Sequence, residues 1–358
     1  MQLLFSRCQA AFPAGNVVLN GFATWLSRGL LVTFSALIIF PAAVTAQNVL
    51  PSATPSASAA AKAATAPDAS YDPTKPNPKQ AIEVVKVGDQ KSFIWEVKSD
   101  SNTVYLFGTI HVGKKSFYPL PSTVENALKR STKLVLEADI SNTTDGVEIG
   151  KLLTYAPPDS LEKHIPAALY ERVKQQAVRL KLQPNSFNNM KPYIVVGALS
   201  INEYMRLGYD MNEGVESYLL KRAKEENKAV LELESQLGQM AMFNNMPATL
   251  QEAMLDNALA TIESGKTPDQ ITGVVNAWQS GDVKLMQAVT SDVTKDARQS
   301  EALDEILLFA RNDAMLKKIQ GYLAEDKTHF IAVGALHLMG PRGLVELLKS
   351  KGYQVRQL

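Results

Sequence analysis

The chain has 358 residues, with 37 Lys and Arg against 36 Asp and Glu, so its net charge is close to zero. This balance gives no support to a nucleic-acid-binding protein, for which a basic surface is expected. A length of this order is sufficient for one large domain with a substantial core.

Residues 1–46 are predicted to be a secretory signal peptide. They contain two arginines and no acidic residue, then the apolar stretch 29–40, then small residues before Gln47. This order is typical of a cleaved leader. The alternative is an uncleaved membrane anchor, but Pro41 interrupts the stretch and a full span needs about 20 apolar residues. We therefore expect a periplasmic or secreted protein without stable membrane insertion after signal cleavage.

The only cysteine, Cys8, lies inside that leader. The mature chain would then have no thiol, which excludes disulfides, cysteine nucleophiles and thiolate metal ligands. Residues 47–80 are rich in Ala, Pro, Ser and Thr and are predicted to be a disordered linker, because they have too few large apolar residues to form a core. Residues 81–358 are predicted to form the functional domain.

The domain begins with a predicted β-hairpin. Residues 93–97 and 104–107 are strand-like runs, and Asp100-Ser101-Asn102 between them is a turn signal. The spacing of Ser122 and Glu125 matches a capping box and predicts a helix from Ser122 through Arg130.

Helical and strand patterns alternate through the rest of the chain. Residues 133–139 and 229–234 read as strands, and 159–223 and 248–325 as helical, with Leu169, Val173, Ala177 and Leu180 on one helical face. A strand from Phe330, a helix at 344–350 and a strand at 353–357 close the chain. We predict an α/β fold, with a mixed central β-sheet flanked by helices and a large helical insertion or cap.

Two of the four histidines follow the same pattern: an apolar run, a glycine, two residues and a histidine. The first motif is Gly108-Thr109-Ile110-His111, and the second is Gly334-Ala335-Leu336-His337. Glycine suits a point where the backbone turns or another group approaches closely. Each histidine is expected just beyond the carboxyl end of its strand, where α/β sheets place ligands. The histidines are therefore expected to share one site.

Glu137 lies at the carboxyl end of the predicted strand 133–139. Two imidazoles and a carboxylate are typical of a divalent-metal site, and the same trio also suits general acid and base work. The residue types do not choose between these. The alternative is that His111 and His337 are core histidines that cap strand ends and Glu137 is a solvated strand end. His164 and His329 have no motif and are predicted to be surface or structural residues.

From about Ser92 to Leu358 the chain resembles the TraB/GumN family, relatives of the Tiki metalloproteases. The resemblance is carried by paired glycine-histidine motifs in a fixed order with other short motifs. These are Gly108-Thr109-Ile110-His111 with Gly113, Leu120-Pro121, Leu136-Glu137-Ala138-Asp139, Gly214-Val215-Glu216, Leu233-Glu234-Ser235 with Gln239, Trp278 with Gly281-Asp282, Arg311-Asn312, and Gly334-Ala335-Leu336-His337 with Gly340.

The resemblance implies a metal-dependent peptidase whose site is built from both motif histidines and the strand-end glutamate. It implies manganese or cobalt as the divalent ion, and zinc is a third candidate. Glu216 stands where relatives commonly carry aspartate. The chain lacks the His-Glu-x-x-His helix of ordinary zinc peptidases, so the peptidase interpretation rests on the resemblance.

Our leading hypothesis is an exported metal-dependent hydrolase that acts on a peptide or protein. The predicted metal ligands are His111, His337 and Glu137, and the predicted catalytic residues are Glu137, Glu216 and Arg311. Arg311 follows an apolar run, which indicates either an internal salt bridge or a clamp for a substrate carboxylate. Glu234 is left without a role.

Two alternatives remain. The first is a non-catalytic periplasmic protein that binds a peptide or a metal-containing ligand in the same cleft. The second is a metal-free hydrolase in which a histidine activates water directly. The oligomeric state is not predicted.

Overall fold

A computed structural model describes residues 91–142, 144–290 and 297–358. The predicted signal peptide and linker, residues 1–80, lie outside the described residues. The strands are β1 (Ile94–Lys98), β2 (Thr103–Thr109), β3 (Lys133–Leu136), β4 (Ala229–Glu232), β5 (His329–Gly334) and β6 (Gln354–Gln357).

The helices of the described residues are α1 (Ser122–Arg130), α2 (Gly146–Leu153), α3 (Ala167–Arg179), α4 (Pro192–Arg206), α5 (Val215–Glu225), α6 (Gln236–Asn245), α7 (Ala248–Glu263), α8 (Thr267–Ser280), α9 (Val283–Thr290), α10 (Ala297–Asp304), α11 (Ala310–Leu323) and α12 (Leu344–Ser350). Short 3₁₀ helices span Lys115–Phe117, Leu161–Lys163 and Ala335–Leu338, and a π-helical turn, Glu305–Phe309, joins α10 to α11.

The six strands form one mixed sheet in the order β4-β3-β5-β2-β1-β6. Strands β4, β3, β5 and β2 are parallel, whereas β1 is antiparallel to both of its neighbours. The predicted mixed sheet flanked by helices is confirmed. Since β3, β5 and β2 are adjacent and parallel, their carboxyl ends lie along one edge of the sheet.

The predicted hairpin is confirmed, because β1 pairs antiparallel with β2 and Ile94 lies opposite Phe107. Helix α1 has the predicted bounds, but its predicted capping box is wrong. Pro121 occupies the N-cap position, so Ser122 is already inside the helix and makes no capping bond. The Glu125 carboxylate instead accepts a hydrogen bond from the Leu120 backbone nitrogen at 3.0 Å.

The helical layer occupies two long stretches of chain. Helices α2 to α5 lie between β3 and β4, and α6 to α11 lie between β4 and β5. Leu169, Val173 and Ala177 are buried on one face of α3, as predicted. They belong to a hydrophobic cluster distinct from the one that covers the sheet. The predicted helical insertion is therefore present, with a core of its own.

Within residues 91–142, 144–290 and 297–358, no helix is both long and apolar enough to cross a membrane.

Candidate active site

His111, Glu137 and His337 lie just after β2, β3 and β5, respectively. His111 and Glu137 are each 6% exposed, and His337 is 2% exposed. The Nε2 atom of His337 lies 3.6 Å from Oε2 of Glu137. A Cβ atom built on Gly334 would lie 3.5 Å from Oε2 of Glu137, 3.7 Å from Cδ2 of His337 and 3.8 Å from Nε2 of His111. The two motif histidines therefore share one buried site, as the strand pattern predicted.

The His111 ring is oriented by Glu216, in the first turn of α5. Its Nδ1 lies 2.6 Å from Oε1 of Glu216, and the Thr109 hydroxyl donates to the same oxygen. Because a carboxylate accepts, Nδ1 carries a proton, and Nε2 of the neutral ring holds the free lone pair. Among the described residues that Nε2 is buried and has no hydrogen-bond partner. A buried nitrogen in this state is available to a ligand.

The electrostatics of His111 favour positive charge at this position. Burial alone would lower the pKa of His111, but the carboxylates of Glu216 and Glu137 outweigh it and raise that pKa above its ordinary value. The site thus stabilises either a protonated imidazole or a cation placed beside it.

His337 is oriented by Asn312 on α11. The Asn312 Nδ2 donates to the Arg342 carbonyl at 2.9 Å, so its Oδ1 is the atom that lies 2.6 Å from Nδ1 of His337. An amide oxygen only accepts, so Nδ1 of His337 is protonated and Nε2 holds the lone pair. Burial lowers the pKa of His337 to about 3. The positive charge of Arg311 lowers this pKa further, and the negative charge of Glu137 opposes the shift. His337 is neutral near pH 7.

Glu137 is held by several donors. Its Oε2 accepts from the Gly334 backbone nitrogen at 3.0 Å, and its Oε1 accepts from Gln239 Nε2 at 2.9 Å and from Arg311 Nη2. Burial would raise the pKa of Glu137. The charge of Arg311, together with His337, His111 and the Gly334 hydrogen bond, instead holds this pKa far below its usual range. Glu137 is therefore an anion that keeps Oε2 beside His337.

Arg311 is committed to other groups of the protein. Its Nε lies 3.1 Å from both carboxylate oxygens of Glu234, and its Nη1 donates to the Leu307 carbonyl at 2.7 Å. Its Nη2 is shared between Glu137 and Glu234. Of the two sequence interpretations of Arg311, the structure shows the internal salt bridge. Its guanidinium pairs with both Glu137 and Glu234.

The cluster has an excess of negative charge. Glu137, Glu216 and Glu234 supply three carboxylates, while Arg311 supplies one guanidinium. Buried charges are costly unless they are balanced, and His337 remains neutral. Protonation of His111 or a bound cation would offset this excess.

The donor set fits a divalent cation in its chemistry. Nε2 of His111 and Oε2 of Glu137 lie within 4 Å of the Cβ position of Gly334, and Nε2 of His337 lies 3.6 Å from the same Glu137 oxygen. Each imidazole Nδ1 is held by an acceptor, as is usual for histidine ligands. In the described part of the chain, however, no three His, Cys, Asp or Glu side chains are close enough as they stand to hold one ion.

Of the two motif glycines, Gly108 lies at a point of close approach. A Cβ atom on Gly108 would lie 2.5 Å from the Phe93 ring and 3.1 Å from the Ala335 Cα. The Gly108 carbonyl also accepts from Trp278 Nε1 at 2.7 Å. Neither Gly108 nor Gly334 has a positive φ. Crowding explains Gly108, whereas a Cβ atom at Gly334 would make only ordinary contacts with Glu137, His337 and His111.

Thr109, Gln239 and Asn312 contact the site, although we assigned them no role from the sequence. Gln239 donates to Glu137 and, at 2.9 Å, also to Glu234. Each of these residues belongs to a family motif. The only local signal for two of them is proximity in sequence to a predicted site residue, since Asn312 follows Arg311 and Thr109 lies two residues before His111.

The remaining two histidines lie away from this site. His164 is close to Asp159 and stacks on Tyr155, with ring centroids 4.2 Å apart. His329 is buried at the start of β5 and stacks on Tyr322. Both are structural or surface residues, as predicted.

The fold and site define an α/β protein with two histidines and a glutamate at the carboxyl edge of its parallel strands. The chain belongs to the TraB/PrgY/gumN family, whose sequence pattern matches residues 93–357.

Among its relatives is the uncharacterized protein YbaP of Escherichia coli, 26% identical over 68% of this chain and 87% of that protein. A second is the metalloprotease TIKI homolog of Amphimedon queenslandica, 25% identical over 75% of this chain and 62% of that protein. Human metalloprotease TIKI1 is 21% identical over 74% of this chain and 61% of its own length. No solved structure matches the chain with significance.

Proposed function

We propose that this protein is a metal-dependent hydrolase that cleaves peptides, with His111, His337 and Glu137 as the metal ligands. Three features support the proposal: the convergence of these side chains on one buried space, the excess of carboxylates over cations around it, and the metalloprotease relatives. The observation that carries it is the buried Nε2 of His111, which has no partner among the described residues while Nδ1 is fixed by Glu216.

A bound divalent ion would polarise the substrate carbonyl and lower the pKa of a water molecule. The protein's own groups then have separate tasks. Glu216 and Asn312 hold the two imidazoles in the tautomer that presents Nε2. Arg311 and Gln239 hold Glu137 and keep it ionised. Glu216 and Arg311, predicted as catalytic residues, act in this proposal as positioning residues.

The test is metal binding by the purified full chain after chelation and dialysis. We expect Mn²⁺, Co²⁺ or Zn²⁺ to bind at about one ion per chain. His111→Ala or His337→Ala should abolish most of this binding, and the double variant should add little, because the ligands act as a unit. His164→Ala is the matched control, since His164 is exposed and pairs with Asp159 rather than with a residue of the site. Strong binding retained by both single variants would exclude this ligand set.

The same preparations test turnover. A peptide library should be cleaved by the metal-loaded wild-type chain, and cleavage should stop on chelation and return with the ion. Ligand binding without any turnover would favour the non-catalytic binding protein.

A metal-free hydrolase is the second candidate, and the His111–Glu216 pair favours it. A histidine whose Nδ1 is held by a carboxylate has the arrangement of a general base with its orienting group. Peptide cleavage that survives chelation, and is lost in His111→Ala, would support this candidate over the metal-dependent one.

We further propose that the protein acts outside the cytoplasm, on the basis of the leader pattern in residues 1–46. Mature protein should then begin near Gln47 in the periplasmic or secreted fraction. Full-length protein in the cytoplasmic fraction would refute export, and full-length protein in the membrane fraction would favour the uncleaved anchor.

A further inference from the structure

A cavity of about 370 Å³ lies within the helical layer. Its walls are mainly apolar and include Val196, Met254, Ile262, Ile271, Leu303 and Leu308. Ligand sites in proteins span roughly 300 to 1,000 Å³. An apolar cavity of about 150 Å³ is enough for a benzene ring, so this cavity has room for a large side chain and part of its backbone.

The cavity shares two walls with the candidate active site. Leu336 and Met339 line the cavity from the 3₁₀ turn that carries His337. Leu307 lines it from the π-helical turn before α11, and the Leu307 carbonyl is the group that accepts from Arg311. The segments that position the catalytic cluster therefore also shape this apolar space. A group bound in the cavity would contact residues that adjoin His337 and Arg311.

One polar group in the cavity wall points to a ligand that carries an amide. Thr267 lines the cavity and is 7% exposed, and its hydroxyl is buried without a hydrogen-bond partner among the described residues. Buried polar atoms are normally satisfied, so an unpartnered hydroxyl in a cavity suits a ligand with a carbonyl or N–H.

The acidic groups of the cavity do not favour a basic ligand. Glu203 lines it but is already paired with Arg179 and Arg206. Asp304 also lines it, and partial burial raises the pKa of its carboxyl, which disfavours the charged form. The apolar walls therefore select the occupant, and the Thr267 hydroxyl is one polar group that it would meet.

We propose that this cavity receives a bulky apolar side chain, such as leucine or phenylalanine, of the peptide substrate, next to the bond that is cleaved. The inference rests on the proposed peptidase function and adds its substrate preference. The large side chain fills the apolar space, and the adjoining peptide group meets the Thr267 hydroxyl.

The first experiment uses the full chain and a peptide that the library identifies as a substrate. Synthetic versions carry Leu, Phe or Ala at the positions flanking the cleaved bond. We expect kcat/KM to be at least about tenfold higher for Leu or Phe than for Ala at one flanking position, since a few methylene groups in an apolar pocket discriminate by that order.

Variants that fill the cavity should remove this preference. Ala258 and Thr261 on α7 both line it. In Ala258→Phe, and in the milder Thr261→Leu, the filled cavity should lower kcat/KM for the Leu peptide, so that the ratio of kcat/KM between Leu and Ala peptides falls to within about threefold. Ala260→Phe is the matched control, because Ala260 is on α7 but does not line the cavity. A ratio near one in the wild type, or one unchanged in both filling variants, would overturn the inference.

A binding experiment separates this inference from the proposed function. N-acetyl-4-fluorophenylalaninamide is titrated into each full-length protein and followed by fluorine NMR. It should bind the wild type and Ala260→Phe with similar affinity. Its affinity for Ala258→Phe and Thr261→Leu should be at least about tenfold lower. If the wild type cleaves no peptide, the peptidase proposal fails while this result still decides the cavity. If the probe binds all four proteins alike, the cavity inference fails even where peptides are cleaved.

Discussion

Gly334 is the residue around which the proposed metal ligands converge. Alanine there has an allowed backbone, since φ is −50°, and its methyl would make ordinary contacts of 3.5 to 3.8 Å with Glu137, His337 and His111. We predict that Gly334→Ala folds with a free energy of unfolding within about 1 kcal/mol of the wild type, yet binds the ion at least about tenfold more weakly, because the methyl occupies the shared space. Calorimetric titration with Mn²⁺ or Zn²⁺ measures this.

Gly108→Ala is the contrasting variant. Its methyl would lie 2.5 Å from the Phe93 ring, so it should lose about 1 to 3 kcal/mol of stability through overpacking. If Gly334→Ala binds the ion as tightly as the wild type, the space above Gly334 is not the metal site.

Glu216 provides a second test at the scale of one residue. Groups that orient histidine ligands usually contribute 10- to 100-fold in metal affinity, so Glu216→Ala should weaken ion binding by roughly that factor. Glu213→Ala, three residues earlier, should have no effect, because Glu213 contacts the neighbouring Tyr118 through its carbonyl rather than its side chain. Competition against a chelating dye gives both affinities. Equal affinities would show that Glu216 does not orient a ligand.

The sequence was sufficient to place His111, Glu137 and His337 together. Apolar runs predict their strands, and adjacent parallel strands place their carboxyl ends along one edge of the sheet. The contacts of Gln239, Asn312 and Arg311 could not be derived in this way. These residues approach from α6 and α11, and the packing of those helices depends on side-chain fit in the helical layer rather than on a local pattern.

At the scale of elements, the central strand β5 carries a buried histidine that should make folding sensitive to acid. His329 is fully buried, and burial lowers its pKa, reinforced by Lys133 and opposed by Glu325. The folded state therefore binds this proton less readily than the unfolded state. The free energy of unfolding should fall as pH drops below about 6.5, the ordinary value for histidine.

His329→Phe isolates this effect, since phenylalanine keeps a ring against Tyr322. Urea unfolding at about pH 7.5 and about pH 5.5 should show a smaller loss of stability in His329→Phe than in the wild type. His164→Phe should behave like the wild type, because His164 is exposed. The same loss in all three proteins would mean that other groups account for the acid sensitivity.

Element boundaries followed the sequence where a local rule governs them. The apolar runs gave β2 and β5, and α12 has the predicted bounds. At α1 the bounds match the prediction but the capping box does not, because Pro121 takes the N-cap position and Ser122 lies inside the helix. The helical stretch 248–325 divides into several helices with a π-helical turn, and the Leu307 carbonyl in that turn accepts from Arg311. Hydrophobic periodicity does not specify such a turn.

At the scale of the whole molecule, the proposed ligands come from three strands that lie far apart in the chain. Only the folded sheet brings β2, β3 and β5 side by side, so an unfolded chain cannot offer the same ligand set. Ion binding should therefore stabilise the fold by linkage, by about 2.7 kcal/mol when the free ion is at 100 times its dissociation constant.

For a domain of this size we predict a rise in melting temperature of roughly 5 to 8 °C at that ion concentration. The shift should grow with the logarithm of the ion concentration in the wild type and in His164→Ala, and it should be absent in His111→Ala and His337→Ala. Differential scanning fluorimetry across an ion series measures all four proteins in one experiment. An equal shift in the wild type and in His111→Ala would place the stabilising ion elsewhere and remove His111 from the ligand set.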